Sequence, residues 1–180
     1  LGWGYGKLGA VLRYSQPGNE GLRMWRSLQL EAICNWMGFN SAGLAAVKNR
    51  LENSPRSPTP IILNIGKNKD TEVEEALQDY AEVFRELWLL VDGAEANPSS
   101  PNTPGLRDYQ NAQTLKHLLL GLIEVNEEMA AMHRQAKKPI GMKASPDETD
   151  EALQDIVDAA IETGIDFITL TNTTISRDGL

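Results

Sequence analysis

Short apolar stretches alternate with helix-length amphipathic ones along this chain, and that alternation leaves few folds open. Ile61-Ile62-Leu63-Asn64-Ile65-Gly66 is apolar on both faces, as a strand buried in a parallel sheet is. Residues 8–12, 139–143 and 166–170 read as further short strands, and another lies within 87–97. Between them the spacing predicts helices over 42–51, 113–136 and 149–163. Leu115, Leu118, Leu119 and Leu122 fall on one face of the second. Leu153, Ile156, Val157, Ala160 and Ile161 mark the core side of the third, and Gly164 stops it. Thr71-Glu72-Val73-Glu74 is a capping box that predicts another helix starting there. The alternation implies a parallel α/β domain. No Gly-x-Gly-x-x-Gly stands between a strand and a helix, so the dinucleotide-binding signature is absent.

Four of the strands end at polar residues: Asn64, Asn97, Lys143 and Asn172. Polar groups gathered at strand C-terminal ends are how a (β/α)8 barrel builds its site, and a full barrel takes ~250 residues. With 180 residues and about five strands, the chain reads as a single domain, 1–180, forming an incomplete segment of such a TIM barrel. A net charge of −8 argues against a nucleic-acid surface. The lone Cys34 rules out an internal disulfide and is expected to be a small core residue. No apolar run approaches a membrane span.

The densest polar stretch is Asn97-Pro98-Ser99-Ser100-Pro101-Asn102-Thr103-Pro104-Gly105-Leu106-Arg107. Its three prolines and a glycine make a shaped loop, and it offers amides and hydroxyls but no metal ligand. In residue order it resembles the active-site loop of the class 2, quinone-linked dihydroorotate dehydrogenases. Four more stretches extend the resemblance: Asn35-Trp36-Met37-Gly38-Phe39-Asn40, Asn64-Ile65-Gly66-Lys67-Asn68-Lys69, Lys143 with Pro146-Asp147, and Thr171-Asn172-Thr173-Thr174. Together they span essentially the whole chain.

The resemblance implies oxidation of dihydroorotate to orotate in pyrimidine (UMP) biosynthesis, with FMN as cofactor and quinone as electron acceptor. Ser100 is implied as the catalytic base, with Thr103 a candidate relay for its proton. Asn35, Asn97, Asn102 and Asn172, with Met37, Gly38, Phe39 and Thr173, are implied substrate contacts. Asn35, Asn64, Asn97, Lys143 and Thr171 are implied flavin contacts, Lys143 as a cation beside the ring. Arg26 matches an arginine that lines the family's quinone site. Class 2 membership further implies membrane-binding helices ahead of Leu1 and flavin-phosphate loops after Leu180. It places the protein at the cytoplasmic side of a bacterial inner membrane, with the mitochondrial inner membrane as the alternative. The 180 residues alone are expected to be inactive, and a scaffold that keeps the pocket without turnover is the other reading.

Several positions depart from the family pattern. Lys7, Ala10 and Leu12 stand where Glu, Ser or Thr, and Thr are usual; Trp36 replaces Arg and Glu20 replaces Pro. Asp92-Gly93-Ala94-Glu95-Ala96 is less apolar than the family's strand. If Asn97 points inward then Glu95 does too, and an unpaired carboxylate there would be costly. His117 and His133 are expected to be structural, Lys137-Lys138 a solvated helix end, and Trp3, Trp25, Trp36 and Trp88 packing residues.

Overall fold

The computed structural model of the protein describes residues 2–99 and 112–176. Five strands, β1 (Gly6–Val11), β4 (Ile61–Ile65), β5 (Gly93–Ala96), β6 (Ile140–Lys143) and β7 (Phe167–Thr169), form one parallel sheet in that order. A separate antiparallel hairpin, β2 (Met24–Ser27) and β3 (Ala32–Asn35), lies between β1 and α1 (Leu44–Glu52) in the chain. Helices α2 (Ala76–Leu87), α3 (Ala112–His133) and α4 (Asp150–Thr163) each connect two neighbouring strands. Parallel strands added one after another with a helix between each pair are consecutive staves of a (β/α)8 barrel, as the alternation implies.

Strand register divides the residues between two faces. Ile62 pairs with Gly93, Asn64 with Glu95, Glu95 with Gly141, and Lys143 with Thr169. Side chains alternate along a strand, so these share one face and Leu63, Ile65, Ala94, Ala96, Ile140 and Met142 take the other. The second set is buried in the core with Tyr80, Val83, Phe84 and Leu87 of α2 and Leu115, Leu118, Leu119 and Leu122 of α3. Full burial of each large apolar side chain contributes roughly 1.5–3 kcal/mol. On the inner face small and large residues interlock. A Cβ on Gly141 would lie 2.3 Å from the Phe167 ring, and one on Gly93 2.7 Å from Ile62 Cδ1.

Two aspartates close the strands' N-terminal ends in the same way. Asp92 Oδ2 accepts the Ile61 N–H and Asp166 Oδ2 accepts the Ile140 N–H, both at 2.8 Å. Each aspartate precedes one strand and caps its neighbour, so the staves are locked in register from below.

The capping box at Thr71 does not open a helix; α2 begins at Ala76 with no side-chain cap on its N-cap residue, Glu75. Buried Asp79 takes the Thr71 hydroxyl at 2.8 Å and the Asn68 N–H at 3.0 Å. The Thr71 hydroxyl is aimed at that carboxylate, and residues 72–75 form turns before the helix. The strand expected within 87–97 is β5, and the apolar run 87–91 ahead of it ends α2 and continues as a 3-10 turn, Trp88–Leu90. In contrast α4 is read closely: the Thr149 side chain accepts from Ala152 N at 3.2 Å, and Gly164 closes the helix at φ 73.

Three further expectations change. Ile156 and Ala160 are buried on α4, but Val157 is 40 % exposed and Ile161 73 % exposed. Burial there follows Ile156, Ala159 and Ala160, leaving the adjoining flank outward. Lys138 is not a solvated helix end. α3 stops at His133, and Lys138 Nζ donates to the Trp88 and Val91 carbonyls while lying 4.2 Å above the Trp88 ring. Trp88 is the packing tryptophan: its Nε1 donates to Asn126 Oδ1 at 2.9 Å and His133 stacks on its ring at 5.8 Å. Trp3, Trp25 and Trp36 are exposed, the last two on and beside the hairpin. Among the described residues no helix is long and apolar enough to cross a membrane.

Candidate active site

The inner-face residues at the C-terminal ends of β4, β5 and β7 are joined amide to amide. Asn97 Nδ2 donates to Asn64 Oδ1 at 3.2 Å, and Asn172 Nδ2 donates to Asn97 Oδ1 at 2.9 Å. Asn97 is 5 % exposed. Its own N–H continues the ladder to Ile65 O, and its carbonyl accepts the Tyr80 hydroxyl at 3.1 Å. The helix behind the sheet therefore fixes the backbone that carries this amide. Ser99 extends the relay to β6: its hydroxyl donates to Lys143 O at 2.7 Å and accepts from Asn172 Nδ2 at 3.2 Å. Three of the implied site asparagines and the backbone of Lys143 are thus one hydrogen-bonded unit.

Below the amides lies the carboxylate whose burial looked costly. Glu95 is fully buried, and it is fully paired. Asn64 Nδ2 donates to its Oε1 at 2.6 Å, while Lys7 Nζ and the Thr169 hydroxyl both donate to Oε2. Lys7 Nζ also donates to Thr169 Oγ1 at 2.7 Å. The penalty expected for Glu95 is offset by a lysine that is itself a departure from the family pattern.

Lys143 ends β6 on the same face. Burial holds its pKa below the ordinary lysine value; Glu95 pulls the other way and Lys7 adds to the lowering. A partly desolvated ammonium responds strongly to a neighbouring anion.

The 35–40 stretch is a clamped loop beyond β3. Gln16 Nε2 donates to the Gly38 and Phe39 carbonyls at 3.0 and 3.2 Å, and Asn19 N–H reaches Met37 O at 3.2 Å. Gly38 has φ 66, and a Cβ there would meet the Asn19 side chain at 2.6 Å, so glycine is required. Phe39 packs on Gly66 just past β4, where a Cβ would lie 2.9 Å from its ring. Asn35 closes β3 opposite Met24. Thr173 N–H donates to Asn172 Oδ1 at 3.0 Å, and the exposed Thr171 donates its hydroxyl to Asn172 O at 3.0 Å. Asp147 binds the Thr174 hydroxyl and the Ile175 N–H, tying the loop after β6 to the one after β7. Ser100, Asn102 and Thr103 lie outside the described residues.

Sequence reasoning gave no role to five contributors. Tyr80 carries no signal beyond its helix. Ser99 was overshadowed by Ser100. Asp147 follows Lys143 and Pro146 in a motif whose resemblance implies a role for Lys143 alone. Lys7 and Glu95 were noted singly as departures, although two opposite charges replacing the usual residues on inward-facing strands are themselves a signal. Among the described residues no group of acidic, His or Cys side chains could hold a metal ion.

Comparison with known proteins agrees with the fold. The family model described as dihydroorotate dehydrogenase matches residues 1–180. Proteins named dihydroorotate dehydrogenase (quinone) from Mycolicibacterium gilvum and Christiangramia forsetii are each 44 % identical over 180 residues. The chain covers 48 % and 51 % of their lengths. One of the same name from Chloroflexus aurantiacus is 39 % identical, with 50 % covered. The chain thus spans about half the length of the curated relatives it matches. The crystal structure of the Eimeria tenella dihydroorotate dehydrogenase in complex with ferulenol superposes with a TM-score of 0.87 at 33 % identity. It covers 98 % of this chain and 52 % of that one. The chain belongs to the dihydroorotate dehydrogenase family.

Proposed function

We propose that residues 1–180 form one domain, the substrate-holding side of a quinone-dependent dihydroorotate dehydrogenase. It oxidises dihydroorotate to orotate in pyrimidine (UMP) biosynthesis. The observation that carries this reading is the Asn64–Asn97–Asn172 relay at the strand ends. Amides that combine donor and acceptor suit a pyrimidine, whose ring edge alternates N–H and C=O. Relatives of this name at 39–44 % identity support the reaction and the acceptor.

The donor set also fits FMN. Among the described residues, Asn64 and Asn97 each have one amide N–H and one Oδ1 lone pair left after the relay bonds and the bond to Glu95, and Lys143 adds a cation on the same face. Asn35 and Thr171 complete the proposed flavin contacts. Bound FMN supplies the acceptor for the hydride that leaves the substrate. The chain's part is the other hydrogen. The Ser100 hydroxyl takes the proton from the neighbouring carbon and passes its own onward, to Thr103 or water. Asn97, Asn102, Asn172 and Thr173 hold the ring, and Asn35, Met37, Gly38 and Phe39 close over it. Quinone and the membrane surface are proposed partners, at the cytoplasmic side of a bacterial inner membrane or in the mitochondrial inner membrane.

Anaerobic stopped-flow flavin reduction in the full-length protein tests this. Dihydroorotate should bleach the wild-type flavin, and Ser100→Ala should slow bleaching by ~10²–10⁴-fold while orotate still binds. A Ser100→Ala rate within about threefold of wild type removes Ser100 from the role. The Lys7–Glu95 pair, which joins a fully buried carboxylate to a lysine at the protein surface, favours a second reading, a barrel that keeps the pocket without turnover. A wild-type flavin that dihydroorotate leaves oxidised would establish it.

A further inference from the structure

We infer that Glu95 is a positioning residue whose carboxylate, pinned by Lys7, sets the direction in which the amides of Asn64, Asn97 and Asn172 point. The consequence for ligand binding rests on the proposed function; the directional claim itself does not.

An amide can be turned end for end with little change in shape, so its direction is set by its partners. A carboxylate only accepts. Glu95 Oε1 therefore requires the Asn64 NH2 group, which it receives at 2.6 Å. That leaves Asn64 Oδ1 towards Asn97, which must present its NH2 group, at 3.2 Å. Asn97 Oδ1 is then left for Asn172 Nδ2, at 2.9 Å. The far end demands the same direction. The Ser99 hydroxyl hydrogen is spent on Lys143 O, so Ser99 Oγ must accept from Asn172 Nδ2, and the Thr173 N–H requires Asn172 Oδ1. Every link satisfies both neighbours only while position 95 accepts.

Lys7 makes that requirement strict. With a glutamine at 95, the Lys7 ammonium and the Thr169 hydroxyl would hold its oxygen, as they now hold Oε2. Its NH2 group would then face the NH2 group of Asn64. Turning Asn64 passes the clash to Asn97, and turning Asn97 passes it to Asn172, where Ser99 and Thr173 oppose a further turn. One donor–donor contact must remain, and one bond of the relay is lost. Replacing Lys7 by methionine as well frees the glutamine to turn. Its oxygen can then accept from Asn64 while its nitrogen donates to Thr169 Oγ1.

Four forms of the full-length protein separate this from a merely structural role: wild type, Glu95→Gln, Lys7→Met/Glu95→Gln, and Lys7→Met/Glu95→Leu. The first readout is neutron diffraction, which places the amide deuterons. Wild type and Lys7→Met/Glu95→Gln should show the Asn64 ND2 group facing position 95. Glu95→Gln should show at least one of the three amides reversed or a relay bond broken. The second readout is orotate affinity by flavin spectral perturbation. Lys7→Met/Glu95→Gln should bind within about threefold of wild type, while Glu95→Gln and Lys7→Met/Glu95→Leu should bind roughly tenfold more weakly, the effect of one lost hydrogen bond. The two double variants carry no charge at either position, so equal orotate affinity in both would overturn the inference. An unchanged relay in Glu95→Gln would overturn it as well. If Glu95→Gln does not fold, the pair of double variants still decides. If wild type binds no orotate, the proposed function fails and the neutron maps alone decide the direction of the relay.

Discussion

The two faces of the sheet are built from alternate residues of the same strands, yet they follow opposite rules. On β5, Ala94 and Ala96 point to the helices and Glu95 points inward, all fully buried. The outer set is held by packing, which is non-directional and tolerates exchange of one apolar group for another of similar volume. The inner set is held by directed bonds, in which each donor must meet an acceptor. Stability is thus concentrated behind the sheet and chemical specificity in front of it. The bridge between them is a small group of side chains such as Tyr80, which sits in the apolar core and donates to Asn97 O.

The largest stability effect should come from the outer side. Trp88→Ala removes a fully buried ring, its bond to Asn126 and the surface under Lys138. We expect a loss of about 3–5 kcal/mol in urea unfolding. A loss below about 1 kcal/mol would mean that the packing behind the sheet is not what carries the fold.

An intermediate effect tests whether the inner face is packed as closely as the outer. Gly141→Ala would drive a Cβ to 2.3 Å from the Phe167 ring. Overpacking of this kind costs roughly 1–3 kcal/mol, and paired Phe167→Leu should recover part of it. If Gly141→Ala is neutral, the inner layer is looser than the interlocking of Ile62, Gly93, Gly141 and Phe167 indicates.

A smaller effect sharpens the electrostatic side of the comparison. The folded pKa of Lys143 lies below its ordinary 10.5, chiefly through burial. The unfolded state therefore binds more protons, and the group's contribution to stability rises with pH between the folded value and 10.5. Lys143→Met removes that rise. The stability of wild type minus that of Lys143→Met should shift in favour of wild type between about pH 7 and about pH 10. A difference that stays flat or moves the other way contradicts the burial of this ammonium. The smallest effect belongs to Cys34, half-buried on the hairpin away from the sheet. Cys34→Ser should change stability by less than about 0.5 kcal/mol and leave flavin reduction untouched. A loss matching that of Ser100→Ala would make the thiol part of the site.

What the sequence determined by itself is the part of the molecule governed by local rules. Periodicity predicts strands over 61–66 and 139–143 and helices over 113–136 and 149–163, and the elements found there are Ile61–Ile65, Ile140–Lys143, Ala112–His133 and Asp150–Thr163. The punctuation of those strands by Asn64, Asn97, Lys143 and Asn172 identified the polar end of a barrel segment, because a residue's place on its strand is a one-dimensional property. The antiparallel hairpin was missed because Met24–Ser27 and Ala32–Asn35 lie outside the buried parallel sheet and show no alternation of buried and exposed residues.

Partnership between distant residues was decided only in three dimensions. The Thr71 hydroxyl points to Asp79 while α2 opens only at Ala76, Lys138 folded back onto Trp88, and the outward flank of α4 kept Ile161 exposed. Lys7 and Glu95 lie 88 residues apart in sequence and meet across β4, which lies between their strands in the sheet. Periodicity reports which face a side chain takes, but a hydrogen bond or ion pair depends on what stands opposite. That is fixed by strand order and register, and those are properties of the folded sheet as a whole.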